Sequence, residues 1–275
     1  MRTLSLISCL ALLLLPACAS VDAGAPQAST GNARVFYKTA GAGEPTIVFE
    51  SGLGDGMASW DKVYNDLATS HHVFAYDRPG YGRHLTLDRS YDSDRDGKRT
   101  GDEVARHLHD VLAQAGVKPP YVLVGHSVGG MYSLSFAQMY PGEVAGIVLV
   151  DARLPGFTEA CEQAHVGLCD IPGVLKLTLN EPMRSEAFGM AKTDASIGAP
   201  AQFGPYPVTV IAATKPSPGA SEGFQDVWRA TARQFAARVT NGRYVEVPAT
   251  AHYVHQEHPE LVEQEIERVV EAGHD

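Results

Sequence analysis

Tyr121-Val122-Leu123-Val124-Gly125-His126-Ser127-Val128-Gly129-Gly130 is the stretch that decides how this chain folds. An apolar run of strand character meets a Gly-x-Ser-x-Gly pattern, and a helical pattern follows. A serine so placed sits on a sharp strand-to-helix turn. Glycines on either side leave room for backbone to pass, and the helix N-terminus favours developing negative charge. Ser127 is therefore the candidate nucleophile.

Similar apolar runs recur on both sides of it. Thr46-Ile47-Val48-Phe49 meets Ser51-Gly52, His72 to Tyr76 ends at Asp77-Arg78-Pro79-Gly80, and Gly146 to Val150 ends at Asp151. Val208 to Ile211 and Arg243 to Val247 complete the set. Continuous apolar runs suit strands buried on both faces of a parallel sheet. Between them lie helical stripes: Val104, Leu108, Val111, Leu112 and Ala115; Phe224, Val227, Trp228, Thr231 and Phe235; and Leu261, Val262, Ile266, Val269 and Val270 after Pro259. The alternation predicts an α/β fold, a doubly wound, mostly parallel sheet with catalytic groups at the carboxyl ends of the strands. Residues 153–203 break the alternation and are expected to form a small cap insertion over the site.

A serine hydroxyl needs a base. His252 follows the last strand, in Ala249-Thr250-Ala251-His252-Tyr253-Val254-His255, and a loop there can reach the serine. His255 and His258 are competitors close by. His126 adjoins Ser127, but its side chain should point away from a tight turn.

Taken together, Glu50-Ser51-Gly52-Leu53-Gly54, Asp77-Arg78-Pro79-Gly80-Tyr81-Gly82, Gly125 to Gly130, Val148-Leu149-Val150-Asp151 and His252-Tyr253-Val254-His255 resemble the α/β-hydrolase superfamily, in a bacterial branch of small hydrolases. The resemblance runs from about residue 33 to residue 273. It implies a catalytic triad and an oxyanion hole. The superfamily usually carries its acid after the strand that here is 208–213. That strand instead runs into Ala212-Ala213-Thr214-Lys215-Pro216, with no carboxylate before Glu222. Asp151, at the end of the preceding strand, is the alternative position, and it keeps the Ser-acid-His order. Glu222 and Asp226 remain rivals. The oxyanion donors are expected to be the backbone N–H groups of Val128 and Leu53. Ser51 stands where the family often has His.

The activity expected is hydrolysis of a carboxylic ester through an acyl-enzyme, on a small-molecule substrate. Lactonase, thioesterase or peptidase chemistry would use the same groups. Dehalogenase and epoxide hydrolase relatives carry Asp where Ser127 stands, which argues against those activities. The alternative is a surface or binding protein that retains the fold without turnover. No cofactor is required for the chemistry.

A separate pattern, Asp92 to Glu103, fits the D-x-D-x-D-G…E calcium-loop spacing, with Asp92, Asp94, Asp96, the Lys98 carbonyl and Glu103 as ligands. Arg99 stands where an apolar residue is usual, and no clear helix precedes Asp92. An acidic loop ending in a helix cap is the competing reading.

The chain has 275 residues, ample for one large domain, and 44% are hydrophobic. A net charge of -10 argues against nucleic acid as a partner. Arg2 followed by the apolar run Leu4 to Leu15 reads as an export signal over residues 1–18. The run is shorter than a membrane span needs. Leu15-Pro16-Ala17-Cys18 resembles the bacterial lipobox, which implies lipidation at Cys18 and contact with a membrane only through that lipid. The expected location is the bacterial cell envelope. A cut after Ala19 is the rival, giving a soluble periplasmic or secreted protein. Residues 19–33 have the composition of a flexible tether, leaving 34–275 as the domain. Cys161 and Cys169 remain in it, and an oxidising compartment permits a disulfide between them.

Overall fold

A computed structural model describes residues 26–30, 33–82, 98–167, 169–216 and 220–273. The expected signal segment and its Cys18 lie outside these residues, as do Asp92, Asp94 and Asp96 of the expected calcium loop.

The eight strands are β1 (Gln27–Thr30), β2 (Ala33–Ala40), β3 (Thr46–Glu50), β4 (Val73–Tyr76), β5 (Tyr121–His126), β6 (Val144–Val150), β7 (Val208–Ala213) and β8 (Gly242–Val247). They form one sheet in the order β1-β2-β4-β3-β5-β6-β7-β8. From β4 to β8 every pairing is parallel, while β1 with β2 and β2 with β4 are antiparallel. This is the expected mostly parallel sheet, with an antiparallel edge that sequence reading does not supply. Residues 27–30, assigned by composition to the tether, are instead ladder-paired with β2. Composition misleads because backbone groups make the pairing, reinforced by Gln114, whose side-chain oxygen accepts from the Ser29 N–H at 2.9 Å.

Strand residues alternate between two cores. Val48, Leu123, Ile147, Leu149 and Val210 face one, and Ile47, Phe49, Val122, Val124, Val148 and Val150 face the other. On the first lie α2 (Gly101–Gln114), α3 (Val128–Met139) and α7 (Glu222–Arg238). On the second lie α1 (Asp61–Leu67), the short α8 (Val254–Glu257) and α9 (Pro259–Ala272). Helices on both faces explain why the strands read as unbroken apolar runs. Ser221 opens α7 by accepting the Phe224 N–H at 3.1 Å, and Pro259 starts α9.

Between β6 and β7 the cap insertion contains α4 (Phe157–Gln163), α5 (Gly173–Lys176) and α6 (Glu181–Ser196). The long α6 escapes sequence reading. Its buried side Ser185, Glu186, Ala187, Gly189, Met190 and Thr193 has little apolar character. What holds it is charge. Glu186, fully buried, accepts from Arg78 Nε at 2.9 Å, from Arg99 Nη1 at 3.1 Å and from the Tyr81 hydroxyl at 2.8 Å. The two guanidinium groups keep its carboxyl below the usual range despite burial, which alone would raise it. Among the described residues no helix is long and apolar enough to cross a membrane.

Candidate active site

Ser127 stands between β5 and α3 with φ 55 and ψ -125, a left-handed conformation uncommon for a residue with a side chain. The turn closes through Gly130 N–H to the Ser127 carbonyl at 3.1 Å. Both motif glycines are needed for space. A Cβ on Gly125 would sit 2.6 Å from the Gly129 carbonyl, and one on Gly129 would sit 2.4 Å from the Glu50 carbonyl. The helix therefore packs directly on the end of β3, and Val128 N–H emerges at the first turn.

Asp151 directly follows β6, also with positive φ, and is 3% exposed. Its Oδ2 lies 2.6 Å from His252 Nδ1. Its Oδ1 accepts from Ala213 N–H at 3.0 Å and from Trp228 Nε1 at 3.1 Å. Both oxygens of this buried carboxylate are thus engaged, and the imidazole is held through Nδ1, with no hydrogen-bond partner to Nε2 among the described residues. The rivals lie elsewhere. Glu222 is exposed in the first turn of α7, and Asp226 pairs with Arg229 at 2.6 Å.

The other histidines have different work. His126 turns under the site and its Nε2 donates to the His252 carbonyl at 3.0 Å, tethering the loop that carries the candidate base. Burial, with the nearby His252 and His255, holds its pKa well below the ordinary value. His255 is 1% exposed, lies 4.2 Å from the Trp60 ring, and has a pKa lowered to about 3 by burial and by His252. It is a neutral buried ring outside the pocket lining. His258 precedes α9, with Nδ1 3.6 Å from Glu260.

The loop after β3 carries Leu53. Arg78 donates to the Ser51 carbonyl at 2.6 Å and to the Gly52 carbonyl at 2.7 Å, while pairing with Glu50 at 2.6 Å. Leu53, Ser127 and Val128 line a common pocket of about 340 Å³, closed on the cap side by Ile171, Leu175 and Met190 and on the α7 side by Phe224 and Trp228. Cys161 and Cys169 are joined in a disulfide, which ties α4 to the segment that forms the pocket lip. Sequence reading gives no role to Arg78, Arg153, Glu186 or Trp228. Trp228 reads there as an ordinary member of an apolar stripe, and the arginines carry no spacing that marks function.

Of the expected calcium loop, the described part is engaged in helix capping. Glu103 Oε2 accepts from Thr100 N–H at 2.7 Å and from the Thr100 hydroxyl at 2.6 Å. No group of three or more metal-ligating side chains occurs among the described residues.

Comparison with known proteins agrees with this architecture. The family model for the alpha/beta hydrolase fold matches residues 45–167. A putative carbamate hydrolase, RutD, from Azorhizobium caulinodans is 36% identical over 139 residues, covering 50% of this chain and 48% of that protein. The chain thus spans about half the length of this curated relative. Among solved structures, a thermophilic esterase from Thermogutta terrifontis superposes with TM-score 0.65 at 20% identity, covering 91% of this chain and 98% of the other. The enol-lactonase from Burkholderia xenovorans LB400 gives TM-score 0.61 at 16% identity, covering 89% and 99%. At such identities these two likenesses speak for the fold alone.

Proposed function

We propose that this chain, whose residues 45–167 match the family model for the alpha/beta hydrolase fold, is a serine hydrolase that cleaves a carboxylic ester through an acyl-enzyme. The observation that carries the reading is the 2.6 Å contact between His252 Nδ1 and Asp151 Oδ2, at the same strand ends as the strained Ser127. In the proposed reaction His252 Nε2 takes the Ser127 hydroxyl proton as Oγ attacks the ester carbonyl. The oxyanion is received by the Val128 and Leu53 N–H groups. His252 then returns the proton to the departing alcohol, and water, activated the same way, releases the acid. Asp151 keeps the hydrogen on Nδ1 and stabilises the imidazolium without itself taking the proton.

The test is hydrolysis of a p-nitrophenyl ester together with labelling by a fluorophosphonate. Wild type should turn over and be labelled at Ser127, and Ser127→Ala should lose both while remaining folded. Wild-type rates in Ser127→Ala would overturn the assignment. A folded wild type that neither turns over esters nor takes the label would favour a binding protein on the same fold. The proposal extends to location: residues 1–18 act as an export signal with lipidation at Cys18. Mass spectrometry of the native N-terminus reads this, and a free terminus at Ser20 would replace it with a soluble exported form.

A further inference from the structure

The pocket in front of Ser127 is walled mainly by apolar side chains, and Arg153 is the one cation among the described residues that line it. Its place is tied to the nucleophile, because the Arg153 N–H donates to the Ser127 carbonyl at 3.0 Å. The guanidinium has few partners. Nη2 donates to Thr158 Oγ1 at 2.5 Å, the Phe157 ring lies 5.3 Å from Cζ, and the buried Nε has no hydrogen-bond partner among the described residues. No described carboxylate pairs with it. The two acids that act on it from a distance are already engaged: Asp170 with Lys176 at 2.6 Å, and Asp194 with the Gly156 N–H at 2.9 Å.

A half-buried cation with no ion-pair partner among the described residues is costly, and proteins normally pair it. Burial accordingly pushes the Arg153 guanidinium below the usual arginine range. An apolar pocket that keeps such a group beside its nucleophile has a reason to do so if the substrate brings the missing charge. We propose that Arg153 binds a carboxylate carried by the substrate, so that the ester hydrolysed here is an anionic one with a second acid group a short chain from the scissile bond. This rests on the serine-hydrolase reading above. A planar guanidinium suits the task, since its N–H donors match the two oxygens of a carboxylate. Asp170 also lines the pocket, but Lys176 offsets its charge. The net charge of -10 repels anions at long range, so the preference must be made at contact.

The experiment compares matched esters that differ in one charge. One pair carries it on the acyl side, mono-4-nitrophenyl adipate against its methyl ester. The other carries it on the alcohol side, 4-(acetoxymethyl)benzoate against the corresponding benzamide. In wild type, kcat/KM for the anion should exceed that for its neutral partner by about tenfold or more in one of the two pairs. Arg153→Met should collapse that ratio towards one, and Arg153→Lys should restore part of it. If Arg153→Met does not fold, Arg153→Gln, which keeps length and polarity, serves in its place. A wild-type ratio at or below one in both pairs overturns the proposal. So does a ratio that survives loss of Arg153, or one that is lost in Lys176→Met instead. Absence of turnover on all four esters with no fluorophosphonate label on Ser127 is a different result: it removes the hydrolase reading itself, and the anion site with it.

Discussion

Arg78 Nη2 donates to the Gly52 carbonyl oxygen at 2.7 Å, and that carbonyl shares a peptide plane with the N–H of Leu53. The peptide is trans, so carbonyl and N–H point in opposite directions. Holding the oxygen on Arg78 therefore turns the Leu53 N–H away from the buried ion cluster. The same guanidinium is paired with Glu50 and with Glu186 of α6. Loop and cap are thereby fixed to one group, which sets the direction of the proposed oxyanion donor.

Replacing Arg78 by Lys keeps the charge but cannot reproduce the fork that reaches two carbonyls and two carboxylates. We expect kcat on a p-nitrophenyl ester to fall by about 10- to 100-fold with KM changed much less, because a misaimed oxyanion donor harms the transition state. An equal rise in KM with kcat intact would show that the loop serves binding instead. Arg78→Met should be worse for folding than for chemistry, costing about 3–5 kcal/mol by leaving Glu50 uncompensated and Glu186 with Arg99 alone.

Asp151 and Glu222 make opposite predictions. Asp151→Asn keeps the shape of the site but loses the charge facing His252 Nδ1, and its kcat should drop by about 10³–10⁴-fold. Glu222→Gln changes an exposed residue in the first turn of α7 and should leave turnover near wild type. Steady-state kinetics of the two variants decides between the acids.

His255 gives the fold a pH dependence. Its folded pKa, about 3, lies below the unfolded value of about 6.5, so between these the unfolded state binds the extra proton. Stability is thus fully present above pH 6.5 and is lost as pH falls towards 3, at up to about 1.4 kcal/mol per pH unit. Neither ring nitrogen has a hydrogen-bond partner among the described residues. His255→Phe, similar in shape against Trp60, should therefore be tolerated at pH 7 and should flatten the acid side of a urea-denaturation profile. His126 is also lowered and will keep part of the slope.

The disulfide between Cys161 and Cys169 closes a short loop at the pocket lip. Chain-entropy reasoning gives a contribution of about 2–3 kcal/mol for a loop of this size. The double replacement of both cysteines by Ser should lower the melting temperature of the oxidised protein to that of the reduced wild type. Trp228 fluorescence should also respond, since Cys161 packs with Phe157 and Trp228.

Glu103 links the capping contact to the calcium loop expected from the sequence. Glu103→Ala should cost about 1 kcal/mol in chelator, because the Thr100 N–H and hydroxyl lose their acceptor. If residues 92–103 hold calcium, millimolar calcium raises the wild-type melting temperature and the variant loses that increment too. Equal wild-type melting curves in calcium and chelator leave the capping role alone.

Local chemistry makes much of this protein legible in its amino-acid order alone. Apolar runs of strand length, each ending at a turn signal, determine a parallel sheet, because buried backbone must pair and apolar side chains must leave water on both faces. Gly-x-Ser-x-Gly between a strand and a helix marks Ser127, because only small neighbours permit that turn. Other features require the folded chain. The β1–β2 edge is held by backbone pairing that polar composition conceals. Helix α6 has no clean apolar stripe, since it is anchored through Glu186 to Arg78 and Arg99. The contact between Asp151 and His252 joins residues 101 positions apart, and spacing alone can rank the acids but not choose among them. Arg153 reads in sequence as any cation in a loop. Only tertiary packing places it in a mainly apolar pocket without an ion-pair partner among the described residues, because the cost of burying a charge depends on what surrounds it and not on its neighbours in sequence.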